Sequence, residues 1–124
     1  MDGRRYQVLV LDDATFRAWL IDPDRIEDLS AATREKCEAT GQTIFMWSAD
    51  PGRSSFLWLC PGCGDVRAGR MADEPVSGWE NPRWVNSGTV EAPTLTPSLG
   101  CGAWLRGNCP AGHWWLRDGE LVPA

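Results

Sequence analysis

The chain has 124 residues, 43% hydrophobic and 23% charged, a composition that suits one ordinary folded domain and excludes wholesale disorder. Seventeen acidic against twelve basic residues give a net charge of −5, which weighs against a general duplex-DNA binder. No apolar run approaches the roughly 18 residues of a membrane span, and residues 8–11 are too short an apolar stretch for a secretory signal, so a reducing cytoplasm is the expected compartment.

Residues 6–11 read as a short buried strand, with Val8, Leu9, Val10 and Leu11 in succession. Asp12 or Asp13 then caps a short helical stretch that carries Phe16, Trp19 and Leu20 on one face. A second helix is expected to start with Asp22 as N-cap and Pro23 as first helical residue. Ile26, Leu29, Thr33 and Cys37 recur along it at helical spacing, and Gly41 ends it. Residues 43–47 look like a strand, and residues 49–55 form a polar turn or linker. Beyond it the composition shifts. Residues 1–50 hold ten acidic and six basic residues, whereas residues 51–124 hold seven and six and carry six of the eight tryptophans. Strands are predicted at 55–59, 65–71, 83–85, 94–96, 103–105 and 113–117. Asp118-Gly119 is a hairpin turn signal leading into Leu121-Val122. The expected fold class is α+β: an acidic strand–helix–strand segment, residues 1–50, packed on a Trp-rich and mostly antiparallel β domain, residues 51–124.

Five cysteines and one histidine carry the chemistry. In a reducing compartment an odd set of cysteines reads as metal ligands before disulfides. Cys60-Pro-Gly-Cys63 is a C-x2-C knuckle, and Cys109-Pro-Ala-Gly-His113 is a C-x3-H turn, each with Pro and Gly between the ligands. Two such pairs complete a zinc tetrahedron, so Cys60, Cys63, Cys109 and His113 are the predicted ligands, with Cys101 competing for one place from its own glycine-flanked turn. Cys37 has no neighbour at metal spacing and reads as a packing residue. Four protein ligands leave no coordination site for water, so the zinc is expected to be structural. About 70 residues of short strands bury too little apolar surface to fold easily alone. A zinc contributing on the order of 10 kcal/mol, together with the tryptophans, supplies what a large aliphatic core otherwise would.

The ordered run Phe56-Leu-Trp-Leu-Cys-Pro-Gly-Cys-Gly64, Trp84-x-Asn86-x-Gly88, Pro93-Thr-Leu-Thr-Pro-Ser98 and Cys109-x3-His113-Trp-Trp-Leu-Arg-Asp-Gly119 resembles a family of small phage- and prophage-encoded proteins of unknown function, sometimes mislabelled ammonia monooxygenase. The resemblance covers residues 55–122. It implies a zinc-ribbon-like domain, with Cys60, Cys63, Cys109 and His113 on the ligand positions. It brings no established activity.

Three functions follow as expectations. The first is a non-catalytic, zinc-stabilised interaction module that binds a host or phage protein, as a host-takeover, anti-defence or virion component within the bacterial cytoplasm. Trp79, Trp84, Arg83 and Arg106 would be its contact residues, although buried packing is the commoner fate of any one tryptophan. The second is a single-stranded nucleic-acid-binding zinc ribbon, with arginines among tryptophans that stack on bases; the net negative charge disfavours it. The third is a small metal-dependent hydrolase, with Asp65, Glu91, Thr94, Thr96 and Ser98 as candidate groups. No hydroxyl in the sequence is paired with a base, which places this third reading last and leaves "not an enzyme" as the expectation.

Overall fold

A computed structural model of the chain describes residues 4–20, 29–48, 55–77, 81–101, 109 and 113–124. In chain order the elements are β1 (Tyr6–Val10), α1 (Asp13–Trp19), α2 (Leu29–Thr40), β2 (Gln42–Ser48), β3 (Ser55–Leu59), β4 (Val66–Arg70), β5 (Val85–Asn86), β6 (Leu95–Thr96), β7 (Leu99–Gly100), β8 (His113–Arg117) and β9 (Glu120–Pro123). Among the described residues, seven strands form one sheet in the order β4-β3-β2-β1-β9-β8-β7, and β5 and β6 form a separate two-stranded ladder. β1 and β2 run parallel, while the other pairings are antiparallel. A parallel pair needs a long crossover, and the stretch containing α1 and α2 supplies it. The class is therefore α+β, and the sheet takes strands from both sides of residue 50.

The local chemistry explains the element ends. The Asp12 side chain accepts a hydrogen bond from the Thr15 amide at 2.8 Å, the N-cap of α1. Gly41 closes α2 with φ +69, and its amide donates to the Cys37 carbonyl. Asp118 and Gly119 both have positive φ, as a two-residue turn between β8 and β9 requires. The expected helix start at Asp22-Pro23 and the expected strand at 103–105 lie outside the described residues.

β2 is buried on both faces from Thr43 to Trp47, because α1 and α2 touch it on the crossover side while aromatic rings collect elsewhere along it. Phe45 stacks on Phe56 at 5.2 Å, and Phe56 meets Trp84 edge-on at 5.4 Å. Such pairs add to area burial. Phe56 lies across β4 at Gly69, its register partner. A Cβ there would sit 2.3 Å from the ring, so this position tolerates only glycine. No helix among the described residues is long and apolar enough to cross a membrane.

Candidate functional site

The knuckle between β3 and β4 folds back on itself. The Gly64 amide donates to the Cys60 carbonyl at 2.7 Å, the Cys60 amide donates to the Asp65 carbonyl at 3.0 Å, and Gly64 adopts φ +79. This turn aims two sulfurs the same way. The other two come from the far edge of the sheet. Cys101 follows β7 directly, and Cys109 lies four residues before β8. The Sγ atoms of Cys60, Cys63, Cys101 and Cys109 all lie within 4.8 Å of one another. Cys60 and Cys109 are 3.5 Å apart, as are Cys63 and Cys101.

Four thiolates about 2.3 Å from a tetrahedral zinc are separated by about 3.8 Å, so the cluster has the size and donor set of a closed metal site. Three of the four cysteines are buried, and Cys63 is half-buried. Hydrogen bonding to Cys101 pushes the Cys63 thiol up to about 12. Hydrogen bonds with Cys101 and Cys63, then burial, hold the Cys60 thiol far above its ordinary value. Crowded thiols in a buried pocket resist ionising together, and a divalent cation reverses that preference by ligating the thiolates. Arg67 on β4 donates from Nε to the Cys101 sulfur at 3.4 Å and from its terminal nitrogen to Asp65 Oδ2 at 3.2 Å. Cys37 is buried away from this group; desolvation raises its thiol to about 11, as suits a packing residue.

The C-x3-H spacing predicts His113 as the fourth ligand, whereas the sulfur that the structure groups with Cys60, Cys63 and Cys109 is that of Cys101, the competitor named from the sequence. Strand alternation is the reason. Leu99 and Cys101 are fully buried, while Gly100 between them is exposed and Ser98 before them is half-buried. Across the ladder Gly100 pairs with His113 and Leu99 with Trp114. Along β8, Trp114 and Leu116 are buried, while His113, Trp115 and Arg117 take the outer face. His113 is thus exposed on the outer row of β8, opposite Gly100.

Ser98 directly precedes β7, and carrying the ladder's register one residue further would set it diagonal to His113, a relation that spans about 7–8 Å and lies within reach of long side chains. Gly100 leaves the histidine room: a Cβ on it would lie 3.1 Å from His113 Nε2, so the imidazole rests over bare backbone. The Trp84 indole donates to the Ser98 carbonyl at 3.3 Å and anchors the serine's main chain from the core side.

The segment leading to Ser98 is held by the motif residues. Asn86 Oδ1 accepts from the amides of Gly88 and Thr94, both at 2.9 Å, and its amide nitrogen donates to the Thr89 carbonyl. Gly88 leaves room for that crossing, since a Cβ would lie 2.6 Å from the Ala92 carbonyl oxygen. Thr94 Oγ1 accepts from the Asp118 amide at 2.7 Å, and the Gly119 amide donates to the Pro93 carbonyl, which ties this loop to the β8–β9 turn.

The remaining predicted residues separate. Trp84 is buried at 7% exposure against Phe56, a core residue rather than a surface anchor. Arg83 beside it donates to Asn81 Oδ1 at 2.7 Å. Trp79 and Arg106 lie outside the described residues. Of the hydrolase candidates, Thr94 and Asp65 are engaged in the contacts above, Glu91 and Thr96 are exposed, and Ser98 is half-buried directly before β7, the strand that pairs with β8.

A family model described as "Bacterial ubiquitination-like system serine protease (BubE)" matches residues 30–124. No curated protein and no solved structure matches the chain. The family match overturns the expectation of a non-catalytic interaction module and, with it, the expectation that the chain is not an enzyme. The sequence holds no local nucleophile–base motif, and its single histidine also fits a metal-ligand spacing, so the activity is not legible in it.

Proposed function

The chain belongs to the BubE family, and on that premise we propose that it is a serine protease with Ser98 as nucleophile and His113 as general base. The observation that carries the assignment is the family match over residues 30–124, read with the place of His113 on the outer row of β8, opposite Gly100. Cys101 completes the four-sulfur set, and the only histidine in the chain stands on that outer row, over Gly100.

The chemistry follows from that placement. His113 accepts the hydroxyl proton as Ser98 Oγ bonds to the scissile carbonyl carbon, which gives a tetrahedral oxyanion. Collapse breaks the acyl–nitrogen bond, and the imidazolium delivers its proton to the departing amine. Water, deprotonated by the same imidazole, then attacks the acyl-serine ester and regenerates the hydroxyl. Trp115 and Arg117 continue the outward row of β8 beyond His113, with the guanidinium 4.8 Å from the indole centroid, so a bound peptide would run along them. The family's description supports a ubiquitin-like protein, as precursor or conjugate, as the substrate class, cut at a peptide or isopeptide bond.

The cluster would hold zinc through Cys60, Cys63, Cys101 and Cys109. Bound there, the ion supplies a crosslink with no open coordination position and takes no part in the bond-making steps. Its place is still relevant to activity, because Cys101 directly follows β7, which Ser98 directly precedes, and Cys109 precedes His113 by four residues.

A fluorophosphonate probe tests the assignment without a known substrate. The adduct is expected on Ser98 by peptide mass spectrometry, absent in Ser98→Ala and strongly slowed in His113→Gln. Labelling of a different serine, or equal labelling of the histidine variant, would sink the pairing.

A further inference from the structure

Arg67 touches the thiol cluster, a contact that no motif predicts. It sits on β4, in register with Trp58 of β3, and its side chain spans the gap between two parts of the site that are 36 residues apart in sequence. Nε reaches the sulfur of Cys101 at 3.4 Å, and the terminal nitrogen reaches Asp65 Oδ2 at 3.2 Å. Asp65 in turn closes the knuckle through its carbonyl to the Cys60 amide. One guanidinium therefore connects the knuckle of Cys60 and Cys63 to the thiol that directly follows β7.

The charge arithmetic gives this contact its meaning. Four thiolates around a divalent ion leave a net charge of −2 in a largely buried pocket, and desolvating that charge opposes binding. Among the described residues Arg67 is a cation held against it, and its planar fork supplies one donor to sulfur and one to carboxylate. Ligand partners of this kind orient the ligand and tune the metal, and their loss typically costs about 10–100-fold in affinity.

We propose that Arg67 acts as the cationic partner of metal-bound Cys101, setting the affinity of the four-thiolate site for zinc and holding Cys101, and with it the end of β7, in place. The proposal rests on the zinc reading of the cluster and is independent of the serine–histidine assignment.

The experiment measures zinc affinity of the full chain by competition with a chromophoric chelator, for wild type, Arg67→Met, Arg67→Lys and Asp65→Asn, alongside the sulfur-to-cobalt charge-transfer band after cobalt substitution. Arg67→Met is expected to weaken zinc binding by about 10–100-fold and to shift the cobalt band, because the thiolate loses its donor. Arg67→Lys restores charge without the fork and is expected to fall between the two. Asp65→Asn, which leaves Arg67 and every sulfur in place, gives a smaller loss in the same direction and stands in should Arg67→Met fail to fold. Affinity and cobalt spectrum in the arginine variants indistinguishable from wild type would overturn the proposal while leaving the metal site intact. A wild-type chain that retains no stoichiometric zinc would overturn both.

Discussion

The thiol cluster and the serine–histidine face flank the same short strand, β7, with Cys101 directly after it and Ser98 directly before it, yet they are opposites. The cluster is inward, mostly buried and closed by four like ligands. The other region is outward, with His113 exposed and Ser98 half-buried. One two-residue strand separates them: Leu99 and Cys101 are buried, Gly100 is exposed and Ser98 is half-buried. The contrast teaches that burial divides the labour. Sulfurs sealed from water have the setting of a metal crosslink, and an accessible strand face has the setting a substrate needs.

The largest expected effect lies on the outer face. Ser98→Ala and His113→Gln should each lower kcat/KM for a ubiquitin-like substrate by about a thousandfold or more, with zinc content unchanged. Metal analysis beside the kinetics checks both halves, and loss of zinc in His113→Gln would restore the histidine to the cluster. Next comes the inner face. Cys101→Ser, or exhaustive chelation, should release the metal and destabilise the fold by several kcal/mol, on the order expected for a structural zinc, with activity falling in parallel to the melting transition. Activity that survives chelation would separate the two regions outright.

Gly100→Ala probes the boundary between them. The added Cβ meets His113 Nε2 at 3.1 Å, so the imidazole must shift. A loss of roughly tenfold to a hundredfold in kcat is expected from misplacement of the base, while zinc stoichiometry stays at wild-type level. Gly69→Ala tests packing far from the chemistry. Its Cβ would fall 2.3 Å from the Phe56 ring, and overpacking of this kind costs about 1–3 kcal/mol, readable as a lower urea midpoint. The smallest effect belongs to Asp12. Hydrogen bonding from Thr15 holds its carboxyl below the ordinary value of 3.8. Its contribution is therefore present above that value and is lost as pH falls through the lowered one. Asp12→Ala should lower Tm slightly at neutral pH, and the difference should shrink as the pH falls below the ordinary carboxylate value.

Much of the scaffold is legible in local patterns. The β3 strand at 55–59, the β8 strand at 113–117, the Asp12 cap, the Gly41 terminus and the Asp118-Gly119 turn each depend on contacts within a few residues, which is where propensity and periodicity are informative. β7 is not legible in this way. Leu99 and Gly100 lie between Pro97 and a glycine-flanked cysteine, and they become a strand only because β8 offers a partner. The function of Asn86 is equally hidden, since its two amide donors lie two and eight residues away.

What the sequence determined alone was the chemistry on offer: a C-x2-C knuckle, two further cysteines able to complete it, one histidine and a serine after a proline-bracketed strand. Spacing in sequence could not choose between Cys101 and His113, because both can reach the same point along the chain. The tertiary structure chose through the pairing of Gly100 with His113, which turns the sulfur at 101 into the core and the imidazole out of it. A strand's alternation is absolute once its register is set, and register is a property of two strands that no single segment contains.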